Sequence, residues 1–109
     1  MKITRALLYS KGACATQAEL FAEMFPDGVE VTEALCAGHA SLFEWEWAAR
    51  RLLPPAGWEE YDRAVAPARA DFYRVRDAAW ADCGHDVAPA RADFDRVRAK
   101  TFGKLVEGL

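Results

Sequence analysis

Little in this 109-residue sequence is suited to a metal cluster or a disulfide framework, because it holds only two histidines and three cysteines, Cys14, Cys36 and Cys83. An odd, widely spaced set of thiols does not make the even and dense array of a secreted scaffold. The expectation is a reducing compartment, the cytoplasm, with the thiols buried as small hydrophobes. Long apolar runs are also missing: no stretch approaches the roughly 18–20 residues that cross a bilayer, so no membrane association is expected. Lys2 and Arg5 fall inside what would be the apolar core of a signal peptide, which argues against export. A basic excess is absent too. The net charge is −3 and the pI near 5.4, against the strongly positive face of a generic nucleic-acid clamp. No Gly-rich phosphate loop, nucleophile elbow or HExxH motif occurs, so neither catalytic residues nor a cofactor are expected. What the chain does have is 52% hydrophobic and 12% aromatic residues, enough for one core in one domain and too much for disorder.

The strongest internal signal is a repeat. Val65-Ala-Pro-Ala-Arg-Ala-Asp-Phe-Tyr-Arg-Val-Arg76 returns as Val87-Ala-Pro-Ala-Arg-Ala-Asp-Phe-Asp-Arg-Val-Arg98, a shift of 22 residues. Half that shift also works: Tyr61, Phe72, Cys83, Phe94 and Leu105 form a column at spacing 11, and Trp58, Trp80 and Phe102 alternate with Arg69 and Arg91 in another. Eleven residues are close to three α-helical turns, so equivalent positions drift by only about 20° per repeat. The C-terminal half therefore reads as helical. Pro67 and Pro89 suit first helical turns, where a missing N–H is harmless, and Gly84 can end a helix in the left-handed conformation. Two helices, about Pro67–Cys83 and Ala88–Val106, are expected as an antiparallel hairpin, with a kinked continuous helix as the alternative.

The first half reads as shorter helices. Thr4 caps a segment reaching Ser10 and closed by Gly12. Thr16-Gln-Ala-Glu19 has the form of a capping box and opens a helix carrying Leu20, Phe21, Met24 and Phe25, stopped by Pro26-Asp27-Gly28. Val29-Glu-Val31 is too short to argue for a sheet. Thr32 caps a short helix through Leu35 and Cys36 to Gly38. Ser41-Leu-Phe-Glu44 resembles a second capping box, for a helix with Leu42, Trp45, Ala49 and Leu52-Leu53 before Pro54-Pro55. Trp58 to Ala64 forms a short helix or linker. The fold class is all-α: a single domain, with residues 1–55 as an N-terminal helical subdomain and 56–109 as a repeat-derived helical hairpin.

These residues resemble a loose group of small proteins from tailed bacteriophages and prophages. The resemblance rests on Lys11-Gly12-Ala13-Cys14, Gln17, Leu20-Phe21, Val29-Glu-Val-Thr-Glu33, Cys36, Trp47-Ala-Ala49 and Leu52-Leu53, followed by the Ala-Pro-Ala…Tyr/Phe…Arg-Val repeats. It covers nearly the whole chain and departs at Asp82-Cys83-Gly84-His85-Asp86, where a further repeat has lost its aromatic residue and its Arg-Val. The resemblance implies a phage origin and brings no settled activity.

Two constellations hold residue types suited to chemistry. Cys36-Ala-Gly-His39 and Cys83-Gly-His85 together supply four ligand types that zinc accepts, although Cys-x-His is tighter than its usual spacing. A thiol nucleophile with a histidine base lacks any flanking Gly-rich turn or oxyanion hole. The hairpin faces say more. Ala68, Phe72, Val75, Ala79 and Cys83 cluster within about 80° of the helical wheel, as do Ala90, Phe94, Val97, Thr101 and Leu105, and these stripes are expected to pack. Beside them run Arg69, Tyr73, Arg76 and Trp80, matched in the second repeat by Arg91, Asp95, Arg98 and Phe102. Arginine, tyrosine and tryptophan are the residues of interface hot spots. From Val65 onward eight Arg and Lys meet seven Asp and Glu, which disfavours phosphate backbones as the ligand. The expected function is that of a non-enzymatic phage accessory protein that binds a host protein in the bacterial cytoplasm. Its face is Arg69, Tyr73, Arg76, Trp80, Arg91, Arg98 and Phe102, and inhibition of a defence system in the manner of an anti-CRISPR is one form it takes. The alternatives are a self-associating helical module, a homodimer in the simplest case, and a domain stabilised by zinc on Cys36, His39, Cys83 and His85.

Overall fold

The computed structural model describes residues 1–82 and 86–109, and these form an all-α bundle with one minimal sheet. Among the described residues the helices are α1 (Arg5–Ser10), α2 (Ala15–Met24), α3 (Glu33–Gly38), α4 (Trp45–Leu52), α5 (Pro55–Asp82) and α6 (Ala88–Glu107). The strands β1 (Lys2–Ile3) and β2 (Val29–Glu30) pair antiparallel, with Lys2 opposite Glu30 and Ile3 opposite Val29. The Val29–Val31 segment thus takes part in a sheet that its length alone did not justify. Gly28, with φ 82°, turns the chain there, and an added Cβ would lie 2.7 Å from the Ile3 carbonyl oxygen.

Two of the expected caps form. The Thr4 hydroxyl accepts from the Leu7 N–H at 3.1 Å, and the Thr32 hydroxyl from the Leu35 N–H at 3.1 Å. Such caps contribute about 1 kcal/mol each. Neither capping box does. The turn at Gly12 (φ 87°) starts α2 early, so the Cys14 carbonyl already receives the Ala18 N–H at 3.1 Å and Thr16 falls inside the first turn. Ser41 and Leu42 belong to a turn closed by the Leu42 N–H on the His39 carbonyl, 3.1 Å, and Glu44 becomes the residue before α4. Leu42 is consequently exposed rather than part of a helix face.

The prolines behave differently from one another. Pro89 sits in the first turn of α6, with the Asp86 carboxylate accepting the Ala88 N–H at 2.9 Å. Pro67 lies inside α5, which starts at Pro55 instead of Pro67 and absorbs the segment from Trp58 to Ala64. A proline in a helix interior costs about 3 kcal/mol. Here Trp58, Tyr61 and Val65 precede it on the buried side, and their burial, with Val65 and Tyr61 at 0% exposure, offsets that cost. Pro67 and Arg63, whose carbonyl loses its helical donor, are both exposed, a position where water can take the place of the missing bond.

The core follows the 11-residue column. Tyr61, Phe72 and Phe94 are buried, and Phe72 stacks on Phe94 with ring centroids 5.2 Å apart. The helices α5 and α6 run antiparallel, since Arg69 and Arg98 meet Glu46 of α4 while Phe72 meets Phe94 one turn further on. Helix α3 lies across α6 at Gly103, where a Cβ would come within 2.7 Å of the Glu33 Cα and 2.8 Å of the Thr32 carbonyl oxygen. Trp45 of α4 reaches Phe102 of α6 at 5.9 Å and donates its indole N–H to the Ala40 carbonyl at 2.8 Å. Because α3 and α4 pack on α6, residues 33–52 join the hairpin in one core. Helices α1 and α2 pack on each other as an arm beside them, with Leu8, Ala18 and Phe21 in the same core.

Candidate functional site

The two repeats carry almost the same residues into different surroundings. Glu46 explains the difference. Its carboxylate lies 2.9 Å from the Arg69 guanidinium and 3.8 Å from that of Arg98, tying α4 to both arms of the hairpin. Arg69 also bonds Asp62 at 3.1 Å, and Arg98 bonds Asp95. Arg98 covers the face of Phe94 at 4.3 Å and is only 13% exposed in its side chain. The bond to Glu46 is the main reason the Arg69 guanidinium is held above its ordinary pKa, against desolvation. Phe102 is 2% exposed and belongs to the core. Arg69, Arg98 and Phe102 therefore do not stand on an open face, because α4 covers that side of the hairpin.

Tyr73, Arg76, Trp80 and Arg91 are exposed. Beyond Phe72 helix α5 continues for about three more turns, where only Ala79 is even half-buried among residues 73–80. The facing start of α6 offers Ala88, Pro89 and Ala90, which are too small to build a core. Val75, expected to pack, is 41% exposed for that reason, and Val97, on the far side of Phe94 from the hairpin end, is 36% exposed. Arg76 lies over the Tyr73 ring at 4.6 Å, and Trp80 is 79% exposed. This end of the hairpin presents one aromatic and cationic strip made of Tyr73, Arg76 and Trp80, with Val75 beside it.

A second feature, without a signal in the sequence, is an apolar cavity of about 480 Å³ between the α1–α2 arm and the α3–α4–α6 bundle. Its walls include Phe21, Phe25, Phe43, Trp45, Trp47 and Phe102. Several of these rings touch in series, Phe25 to Phe21 at 5.3 Å, Phe21 to Phe43 at 6.3 Å and Phe43 to Trp45 at 6.0 Å. Polar lining is sparse: Cys14, Cys36, Gln17, His39 and Glu44. The Gln17 amide donates to the Leu42 carbonyl at 3.4 Å and links α2 to the segment before α4. The His39 Nδ1 lies 2.8 Å from the Leu35 carbonyl, which can only accept, so Nδ1 donates there and Nε2 is left to face other groups. The sequence concentrates rings between residues 21 and 47, but whether they meet or leave a gap depends on helix placement.

Burial pushes the Cys36 thiol up to about 12, with the Glu107 charge adding to it, and a thiol held protonated is a poor nucleophile and a poor ligand. Cys14 is exposed, contrary to the expectation of a buried thiol, because it stands at the junction ahead of α2. Of the proposed zinc set, Cys83 and His85 lie outside the described residues. Among the described residues no group of three or more His, Cys, Asp or Glu is placed to hold a metal ion. No described helix is long and apolar enough to cross a membrane. Comparison with protein-family models, with curated proteins and with solved structures gives no match.

Proposed function

We propose that this chain is a non-enzymatic binding protein that engages another protein through the outer end of its hairpin, at Tyr73, Arg76, Trp80 and Arg91. The observation that carries the reading is the extension of α5 past Phe72, which places a tyrosine, an arginine and a tryptophan on the surface where no core needs them. Large rings and a guanidinium supply most of the free energy at protein interfaces, since they bury much area for few rotamers. Acidic residues interleave with them, so the strip does not carry the net positive charge that nucleic acid rewards. The resemblance to small phage and prophage proteins supplies the setting: a host protein in the bacterial cytoplasm, with inhibition of a defence system, anti-CRISPR-like, as the form such binding takes.

The test is a pull-down from bacterial lysate with the whole chain as bait, run beside Arg76→Ala/Trp80→Ala. The expected result is one stoichiometric host protein on the parent chain and at least tenfold less on the variant, with the helical circular-dichroism signal of the two unchanged. Equal capture by both chains overturns the assignment of the face. A bait that recovers only itself, with a mass that grows with concentration, replaces the host partner by a second copy of this chain.

A further inference from the structure

The cavity between the α1–α2 arm and the bundle goes beyond that reading, because it lies away from the hairpin end and is built of different residues. We propose that it is a binding site for an uncharged, largely hydrocarbon small molecule. Three observations point there. The first is size. At about 480 Å³ it falls in the range of small-molecule sites, far above the gaps left by imperfect packing. The space is partly open to solvent, so a ligand can enter it, and an apolar one gains by removing these walls from water. Water is a poor occupant, since a water molecule needs several polar partners and these walls are aromatic and aliphatic.

The second is the chemistry of the wall. Phe21, Phe25, Phe43, Trp45, Trp47 and Phe102 present ring surface, which matches aliphatic or aromatic carbon. The third is charge. Among the described residues no lysine or arginine lines the cavity, and Glu44 is the one carboxylate there. A carboxylate or phosphate ligand would meet a repelling group with no lysine or arginine to offset it, which disfavours anions. The groups able to hold a single polar end are the His39 ring nitrogen that is not bonded to Leu35, and the Gln17 amide oxygen. The ligand class is therefore neutral, with at most a hydroxyl or carbonyl at one end.

The experiment titrates the whole chain with N-phenyl-1-naphthylamine, an uncharged apolar fluorophore, exciting tryptophan and reading energy transfer. Saturable one-to-one binding is expected, with displacement by decanol at least tenfold better than by decanoate at pH 8. Ala48→Phe, which fills the cavity from α4, should weaken the probe at least tenfold. Ala13→Leu fills it from the arm and serves if the first variant does not fold. Probe binding that does not saturate, or that is unchanged in a folded filled variant, overturns the proposal and means that the arm closes over the gap in solution. Equal displacement by decanoate overturns the neutral class. Loss of the signal in Trp80→Ala would put the probe on the hairpin end and overturn the site.

Discussion

Phe72 and Phe94 hold the same place in the two repeats, and they stack on each other across the hairpin with ring centroids 5.2 Å apart. The repeat thus pairs with itself. Both rings are buried, at 9% and 6% exposure, while the valines three residues later in each repeat reach the surface. Truncating either ring removes its area and leaves a gap that neighbouring helices cannot fill by small shifts. Phe72→Ala and Phe94→Ala should each lower the unfolding free energy by about 3–5 kcal/mol, whereas Val75→Ala and Val97→Ala should stay within about 0.5 kcal/mol. Urea unfolding followed by circular dichroism separates the two pairs, and equal losses would mean that the repeat packs on its other face.

Glu46 gives a second, electrostatic contrast. It serves Arg69 and Arg98 at once, and Arg98 together with Asp95 is largely removed from water, with side-chain exposures of 13% and 14%. Arg98 already has an Nε without a hydrogen-bond partner among the described residues. Glu46→Gln should therefore cost about 1–3 kcal/mol. Asp71→Asn, which breaks an exposed pair with Arg74 at 75% and 67% exposure, should cost no more than about 0.5 kcal/mol. A double-mutant cycle with Arg69→Met should show coupling to Glu46 and none to Asp71.

The helical half was legible because an 11-residue period in side-chain size has one regular explanation, and Tyr61, Phe72 and Phe94 do line the core. The repeat could not say what packs beside each copy. Arg69 and Arg98 come from non-equivalent repeat positions, yet they share Glu46, while their counterparts Arg91 and Arg76 are exposed, because α4 lies along only one stretch of the hairpin. That is a tertiary fact with no local signature. The proline pair teaches the same lesson. Pro67 follows apolar Trp58, Tyr61 and Val65, whose burial carries the helix through it, whereas Pro89 follows polar His85-Asp86 and starts a helix afresh. The cavity is further still from sequence, since it is space that six rings and an arm of two helices fail to fill.

Gly103 of α6 packs closely against the start of α3. A methyl group there would sit 2.7 Å from the Glu33 Cα, 2.8 Å from the Thr32 carbonyl oxygen and 3.1 Å from the Cys36 Sγ. Two of these are backbone atoms with no rotamer to give way. Glycine in a helix interior normally gains about 1 kcal/mol on replacement by alanine, so the sign is diagnostic. Gly103→Ala should destabilise by about 3 kcal/mol, as α3 is pushed off α6. A thermal melt of Gly103→Ala beside Gly38→Ala, where nothing lies within 4 Å of the added carbon, reads the difference directly.

Cys36, behind that contact, makes stability depend on alkaline pH. Burial, and then the Glu107 charge, raise its thiol from the ordinary 9.0 to about 12. In the unfolded chain the thiol ionises near its ordinary value, so above about pH 9 the unfolded state gives up a proton that the folded state keeps. Fewer protons bound in the unfolded state means that stability falls as pH rises, by up to about 1.4 kcal/mol per unit, and it is fully present below pH 9. The buried Tyr61 phenol is shifted upward mainly by desolvation, so it acts in the same direction once pH passes its ordinary 10.0. Melting temperature should therefore be flat in these two groups up to about pH 8.5 and then decline. Cys36→Ala should lower the melting temperature at neutral pH and flatten the early part of the decline, and Tyr61→Phe the later part. Cys14→Ser, at an exposed position, serves as the control. A slope between pH 9 and 10 that is the same in Cys36→Ala and the parent chain would show that this thiol is not held away from water.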